Sequence, residues 1–152
     1  VTGPHPAPLA VAALHALLLA EQAATLRVAF GDPGEIEEPD VIAVGLAVFT
    51  PQSVTGQVRR TMGHEDLPID IGCTAQSWSG DVDETAALAR MARAYELVDI
   101  VRDVLRASPD LGLPGVVQQA YVTRESFSQA PTNRGEAADI EFTVHVDAYR
   151  RR

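Results

Sequence analysis

Residues 139–149 alternate more strictly than the rest of the chain. Ile140, Phe142, Val144, Val146 and Ala148 interleave with Glu141, Thr143, His145, Asp147 and Tyr149. A period of two assigns a strand with one face on a core and the other on water or a partner. Residues 67–78 repeat the pattern, with Ile69, Ile71, Cys73 and Ala75 on one face, and residues 54–62 read as the opposing arm of a hairpin turning at 63–66. Residues 41–49 are almost continuously apolar and β-branched, as expected of a strand buried on both sides. Leu26, Val28 and Phe30 alternate with Arg27 and Ala29 in a short strand closed by Gly31-Asp32-Pro33-Gly34. Residues 115–127 read as a further strand, followed by a loop over 128–137 that contains Pro131 and Gly135.

Two segments carry the helical period instead. After a proline-punctuated arm, Pro8 suits a first helical turn, and residues 9–24 present Val11, Leu14, Leu17 and Leu18 on one broad apolar face. Further on, Asp81 with Glu84 three residues later signals a helix start. Leu88, Met91, Tyr95, Val98, Val101 and Leu105 then form a stripe expected to face the core, ended by Ser108-Pro109-Asp110-Leu111-Gly112. The order is helix, strands, helix, two strands, and the short turns favour antiparallel pairing. The expected class is α+β, a mixed or antiparallel β-sheet with two helices packed on one face. One domain is expected over 1–152, with 1–7 as a flexible arm.

Composition narrows function more than fold. With 46% hydrophobic and 22% charged residues the chain is of ordinary globular type. Its net charge of −9 repels phosphate and argues against a nucleic-acid binder. Every basic side chain is arginine, consistent with the codon bias of a GC-rich genome. The apolar run 9–20 is too short to span a bilayer, so no membrane partner is expected. The single cysteine, Cys73, lies within an alternating strand and reads as a small buried hydrophobe.

No reactive constellation stands out. His5, His15, His64 and His145 lack ligand spacing, and Pro68 stands where a zinc-protease helix opened by His64-Glu65 needs its second histidine. Gln76-Ser77-Trp78-Ser79-Gly80 lacks the first glycine of a nucleophile elbow. The expectation is a protein without catalytic residues, metal or cofactor. Asp32, Glu35, Glu37, Glu38 and Asp40 lack the spacing of a calcium loop and read as a solvated acidic loop. Trp78 has the opposite parity to Ile71 and Cys73, which places it over the far side of the sheet or against a partner.

Three segments carry a resemblance: residues 69–81, the arginine-bearing helix of 90–106 with Tyr95, and Pro131-Thr132-Asn133-Arg134-Gly135-Glu136-Ala137 leading into the last strand. In order and spacing the chain resembles the tail terminator proteins of long-tailed, siphovirus-type bacteriophages, particularly those of high-GC actinobacterial hosts. The resemblance implies an α+β subunit forming a six-membered ring at the head-proximal end of the tail tube. That ring ends tube polymerisation and offers a face to a head-tail connector or completion protein. Its partners would be further copies of itself, the tube protein and the connector, with phage DNA only passing through the bore. Its place would be the tail-head junction of a virion assembled in the host cytoplasm. On this reading Glu35, Glu37, Glu38 and Asp40 are candidates to line the bore, with an outer-rim position equally compatible with the sequence, and Arg59, Arg60, Trp78, Asn133, Arg134 and Arg150 are candidate subunit or partner contacts. Three rivals remain: another neck or completion protein, a small enzyme or ligand-binding domain with His64 and His145 as candidates, and a generic intracellular interaction domain.

Overall fold

The computed structural model describes residues 5–22, 25–31, 38–45, 59–61, 64–80, 84–132 and 135–151. The chain runs α1 (Pro6–Leu19), β1 (Leu26–Phe30), β2 (Asp40–Val44), β3 (Arg59–Thr61), β4 (His64–Ser79), α2 (Glu84–Ala107), β5 (Val117–Thr132) and β6 (Gly135–Arg151). The fold is α+β. Its mixed six-stranded sheet has the order β1-β2-β4-β6-β5, with β3 paired to β4 off that path. Both helices share one apolar core with the sheet.

The spine is the β4–β6 pair, antiparallel from His64 opposite Arg151 to Ser79 opposite Glu136. Residues directly opposite in such a ladder share a face. Ile71 therefore meets Val144, Cys73 meets Phe142 and Ala75 meets Ile140, all buried beneath the helices. Burying a side chain such as Phe142 contributes about 1.5–3 kcal/mol, so these rows anchor the sheet. The hairpin expected to turn at 63–66 turns earlier, because Thr61 is already opposite His64. β6 extends far enough to give residues 64–66 a second ladder, which draws them into β4. Residues 54–58 of the expected first arm lie outside the described residues.

The loop expected over 128–137 is instead the tip of a hairpin. β5 continues to Thr132, which pairs with Gly135 across a two-residue connection. Pro131 is tolerated there because β5 is an edge strand. Between Val122 and Glu125 the register shifts by a bulge. Before it Ala120 and Val122 sit opposite the core residues Val146 and Val144; after it Glu125 and Phe127 sit opposite Phe142 and Ile140. The parity of the strand switches at that point.

β1 and β2 run parallel, not antiparallel. A five-residue strand is roughly 17 Å long. The connection over 31–39 can reach about 30 Å, enough to bring the chain back to the starting end. All of β2 is buried, as its apolar run implied. It stops at Gly45, whose φ of 65° lies in the left-handed region that favours glycine. Positions 46–49 of the expected strand lie outside the described residues.

The helices start and face differently from the sequence expectation. α1 begins at Pro6, because His5 Nδ1 accepts the Ala7 backbone N–H at 3.1 Å and the proline forfeits no helical hydrogen bond. In α2 the buried set is Ala94, Leu97, Val98, Val101 and Leu105, while Leu88, Met91 and Tyr95 are exposed. Arg90 and Arg93 turn towards the sheet to reach Ser77 and Asp40. That rotates the first apolar positions of α2 outward, leaving Tyr95 to stack on Phe127 of β5 with ring centroids 5.7 Å apart. The expected cap at Asp81 lies outside the described residues.

Candidate functional site

Asp40 opens β2 beside Ser77 of β4, directly opposite it in the ladder. Ser77 Oγ donates to Asp40 Oδ1 at 2.7 Å, Arg93 Nε donates to Oδ2 at 2.8 Å, and Arg90 donates to Ser77 Oγ at 2.9 Å. Asp40 is only 4% exposed. A buried carboxylate needs such partners to remain ionised. The hydrogen bond to Asp40 outweighs partial burial and holds the Arg93 guanidinium above its ordinary value. This corrects the expectation for Asp40: it belongs to a buried tie between α2 and the sheet, and its carboxylate is not free to line a channel.

Trp78 and Glu38 brace the same corner. Trp78 is half-buried; its indole N–H donates to the Glu38 carbonyl at 3.2 Å and its backbone N–H to the Pro39 carbonyl at 2.9 Å. Glu35, Glu37, Asn133 and Arg134 lie outside the described residues. Arg59 and Arg60 stand in β3 opposite Asp66 and Glu65, and Arg150 stands in β6 opposite Glu65. Their side chains also lie outside the described residues.

The sheet face turned away from the helices holds a second polar cluster. His145 Nδ1 is 2.7 Å from Asp70 Oδ1 across the β4–β6 ladder, and His145 Nε2 is 3.0 Å from Asp147 Oδ1. Gln119 Nε2 donates to the other oxygen of Asp147 at 2.7 Å, and the Tyr121 ring leans on the imidazole at 5.3 Å. Partial burial pulls the imidazolium down, but hydrogen bonds to Asp70 and Asp147, together with their charges, outweigh it and the net shift is up. With a carboxylate at each ring nitrogen, the cationic form is matched on both sides. Neither nitrogen is left to act as a general base, which takes a free lone pair aimed at a substrate proton.

Further carboxylates stand along the same sheet face. Asp66 and Glu141 are exposed, and Asp139 is half-buried on the same face. Burial raises Asp139 most, the Gln76 hydrogen bond opposes that, and the nearby Glu141 charge adds to it; the net shift is up. Sequence reading missed this grouping because it depends on register: Asp70 and His145 become neighbours only once β4 and β6 are aligned. Their shared polar parity was the available signal.

Other chemistry is muted. Burial lifts the Cys73 thiol to about 12, against a weaker opposing hydrogen bond from the Gly45 backbone, so it is no nucleophile. A shallow depression of about 350 Å³ beside the end of α2 is lined by Arg102, Arg106, Gln119 and Tyr121. Its arginines are already paired, Arg102 with Asp99 and Glu125 and Arg106 with Asp103. Among the described residues no group of three His, Cys, Asp or Glu side chains is arranged to hold a metal ion. No helix among them is long and apolar enough to cross a membrane.

The arrangement thus defines an α+β fold with an acidic sheet face on one side and, on the other, an apolar helix α1 and a charged, amphipathic helix α2. Comparison of the sequence with family models and with curated proteins finds no match. The fold is similar to that of a chain in a solved structure described as the virion of a native gene transfer agent (GTA) particle. The TM-score is 0.58 at 12% identity, covering 91% of this chain and 93% of that one.

Proposed function

We propose that this protein is a structural subunit of a phage-type virion, and within it the tail terminator: a ring at the head-proximal end of the tail tube. The observation that carries the reading is the fold shared over nearly the full length of both chains with a component of a GTA virion. The resemblance of residues 69–81, 90–106 and 131–146 to tail terminators narrows it to the neck.

The mechanism is geometric. One ring face matches the last ring of the tube and the other does not match a further tube subunit, so growth stops there and the head connector finds its seat. In six copies the net charge sums to about −54. The sheet face bearing Asp66, Asp70, Asp139, Glu141 and Asp147 takes over the bore-lining role first expected of Asp40. Carboxylates along the passage keep DNA phosphates from adhering. Glu35, Glu37 and Glu38 remain part of the proposed lining, and Arg59, Arg60, Trp78, Asn133, Arg134 and Arg150 part of the proposed contacts.

The test is to add the purified chain to growing tail tubes and examine them by negative-stain electron microscopy. The expected result is a cap at one end and arrested elongation. Binding to filled heads without binding to tubes would assign the chain to another neck component, and binding to neither would remove the reading.

A further inference from the structure

We propose that the groove between the C-terminal turns of α1 and α2 is a docking site for an arginine- or lysine-bearing segment of a different, basic protein. The inference goes beyond the neck reading and does not draw on it, since it rests on these two helices alone.

The groove holds about 340 Å³ and is lined by Leu17 and Glu21 at the end of α1 and by Ile100, Asp103, Val104 and Ser108 at the end of α2. Its floor is apolar. Leu17, Ile100 and Val104 pack against the core yet stay partly open to solvent. Its charged lining is wholly acidic, Glu21 on one side and Asp103 on the other.

Two negative helix ends add to those carboxylates. α1 stops at Leu19 and α2 at Ala107, so the C-terminal poles of both dipoles lie at the groove. Cations normally occupy such ends. α1 has no basic residue in its last turn, and the next charged residue, Glu21, brings a further negative charge. α2 does end in Arg106, which meets Asp103 at 3.0 Å, but the two side chains are 76% and 73% exposed. An exposed pair of that kind contributes little and yields readily to a better partner.

Floor and wall together select the occupant. A hard metal ion needs several converging oxygen ligands, and among the described residues no group of three is arranged to hold one. A purely apolar segment would bury carboxylates without partners. A long cationic side chain satisfies both surfaces. Its methylene stem covers Leu17, Ile100 and Val104 while its head reaches Glu21, Asp103 and the last helical carbonyls. The forked guanidinium of arginine suits two carboxylates best. A second copy of this chain is a poor source, because it also carries −9 and would approach an acidic groove against its own charge.

The full chain, methyl-labelled at Ile, Leu and Val, is titrated by NMR with a blocked peptide of alternating leucine and arginine. At about 0.15 M salt, attraction between exposed charges reaches only about 8 Å. The expected result is a saturable shift of the Leu17, Ile100 and Val104 methyls, with affinity about tenfold above that of the same peptide carrying uncharged citrulline. Glu21→Gln and Asp103→Asn should each weaken binding several-fold, while Glu141→Gln on the sheet face leaves it unchanged. All three positions are exposed, so the variants keep the fold. No saturable shift, equal binding of the citrulline peptide, or equal weakening by Glu141→Gln would overturn the proposal. Shifts at these methyls that follow protein concentration without peptide would also overturn it, by giving the groove to a second copy.

Discussion

Arg93 Nε stands 2.8 Å from Asp40 Oδ2, joining α2 to the first residue of β2 across 53 positions of sequence. Asp40→Asn would leave one acceptor oxygen where Ser77 and Arg93 each use one, so one of these donors would face the amide NH2, and the negative charge beside Arg93 would be gone. Breaking a fully buried pair costs roughly 3–5 kcal/mol. Because Arg93 keeps about a third of its side chain exposed, a loss of about 2 kcal/mol is expected here. Urea unfolding with an unchanged slope measures it; a loss below about 0.5 kcal/mol would show that the pair is idle.

His145 should make stability depend on pH. Its folded pKa is raised above the ordinary 6.5, so its contribution is fully present below that value and is lost as pH rises through the folded pKa. The difference in urea midpoint between the parent and His145→Gln should shrink from pH 6 towards pH 9. Asp70 and Asp147 flank the ring, with Gln119 and Tyr121 beside it. The comparison with His145→Gln isolates the contribution of this one side chain. A difference that is flat or grows with pH would contradict the bridged imidazolium.

Leu88 and Phe142 should respond in opposite ways to truncation. Phe142→Ala opens a cavity under both helices and should cost about 3–5 kcal/mol. Leu88 is 67% exposed, so Leu88→Ala in the isolated chain should stay within about 0.5 kcal/mol of the parent. Thermal or urea unfolding of the two variants checks both. A large loss for Leu88→Ala would return that residue to the core stripe.

Cys73 should be chemically silent in the folded protein. With the thiol buried and lifted to about 12, a disulfide reagent at pH 8 should label it only after denaturant is added. Rapid labelling of the native chain would show that the centre of β4 opens readily.

The β4 and β6 faces were legible in the sequence because a period of two leaves no choice once one face is apolar. Ile69, Ile71 and Cys73, like Ile140, Phe142 and Val144, are buried as their alternation required. The orientation of α2 was not legible. Ala94 and Leu97 compete with Met91 and Tyr95 for the same period, and the choice depends on Arg90 and Arg93 finding partners on β2 and β4. Asp40 looked like one more carboxylate in an acidic run, since its neighbours Pro39 and Glu38 resemble a loop and its arginine is far away in sequence. The bulge after Val122 hid the parity of β5, and with it the place of Tyr121 against His145.

The account stands or falls on the chain being a building block of a particle, fixed at one place in it. Immunogold electron microscopy of virions carrying an epitope-tagged copy tests this directly. A single cluster of label at the junction of head and tail is the predicted result; intact, infectious particles in which neither label nor the protein's peptides can be found would contradict it.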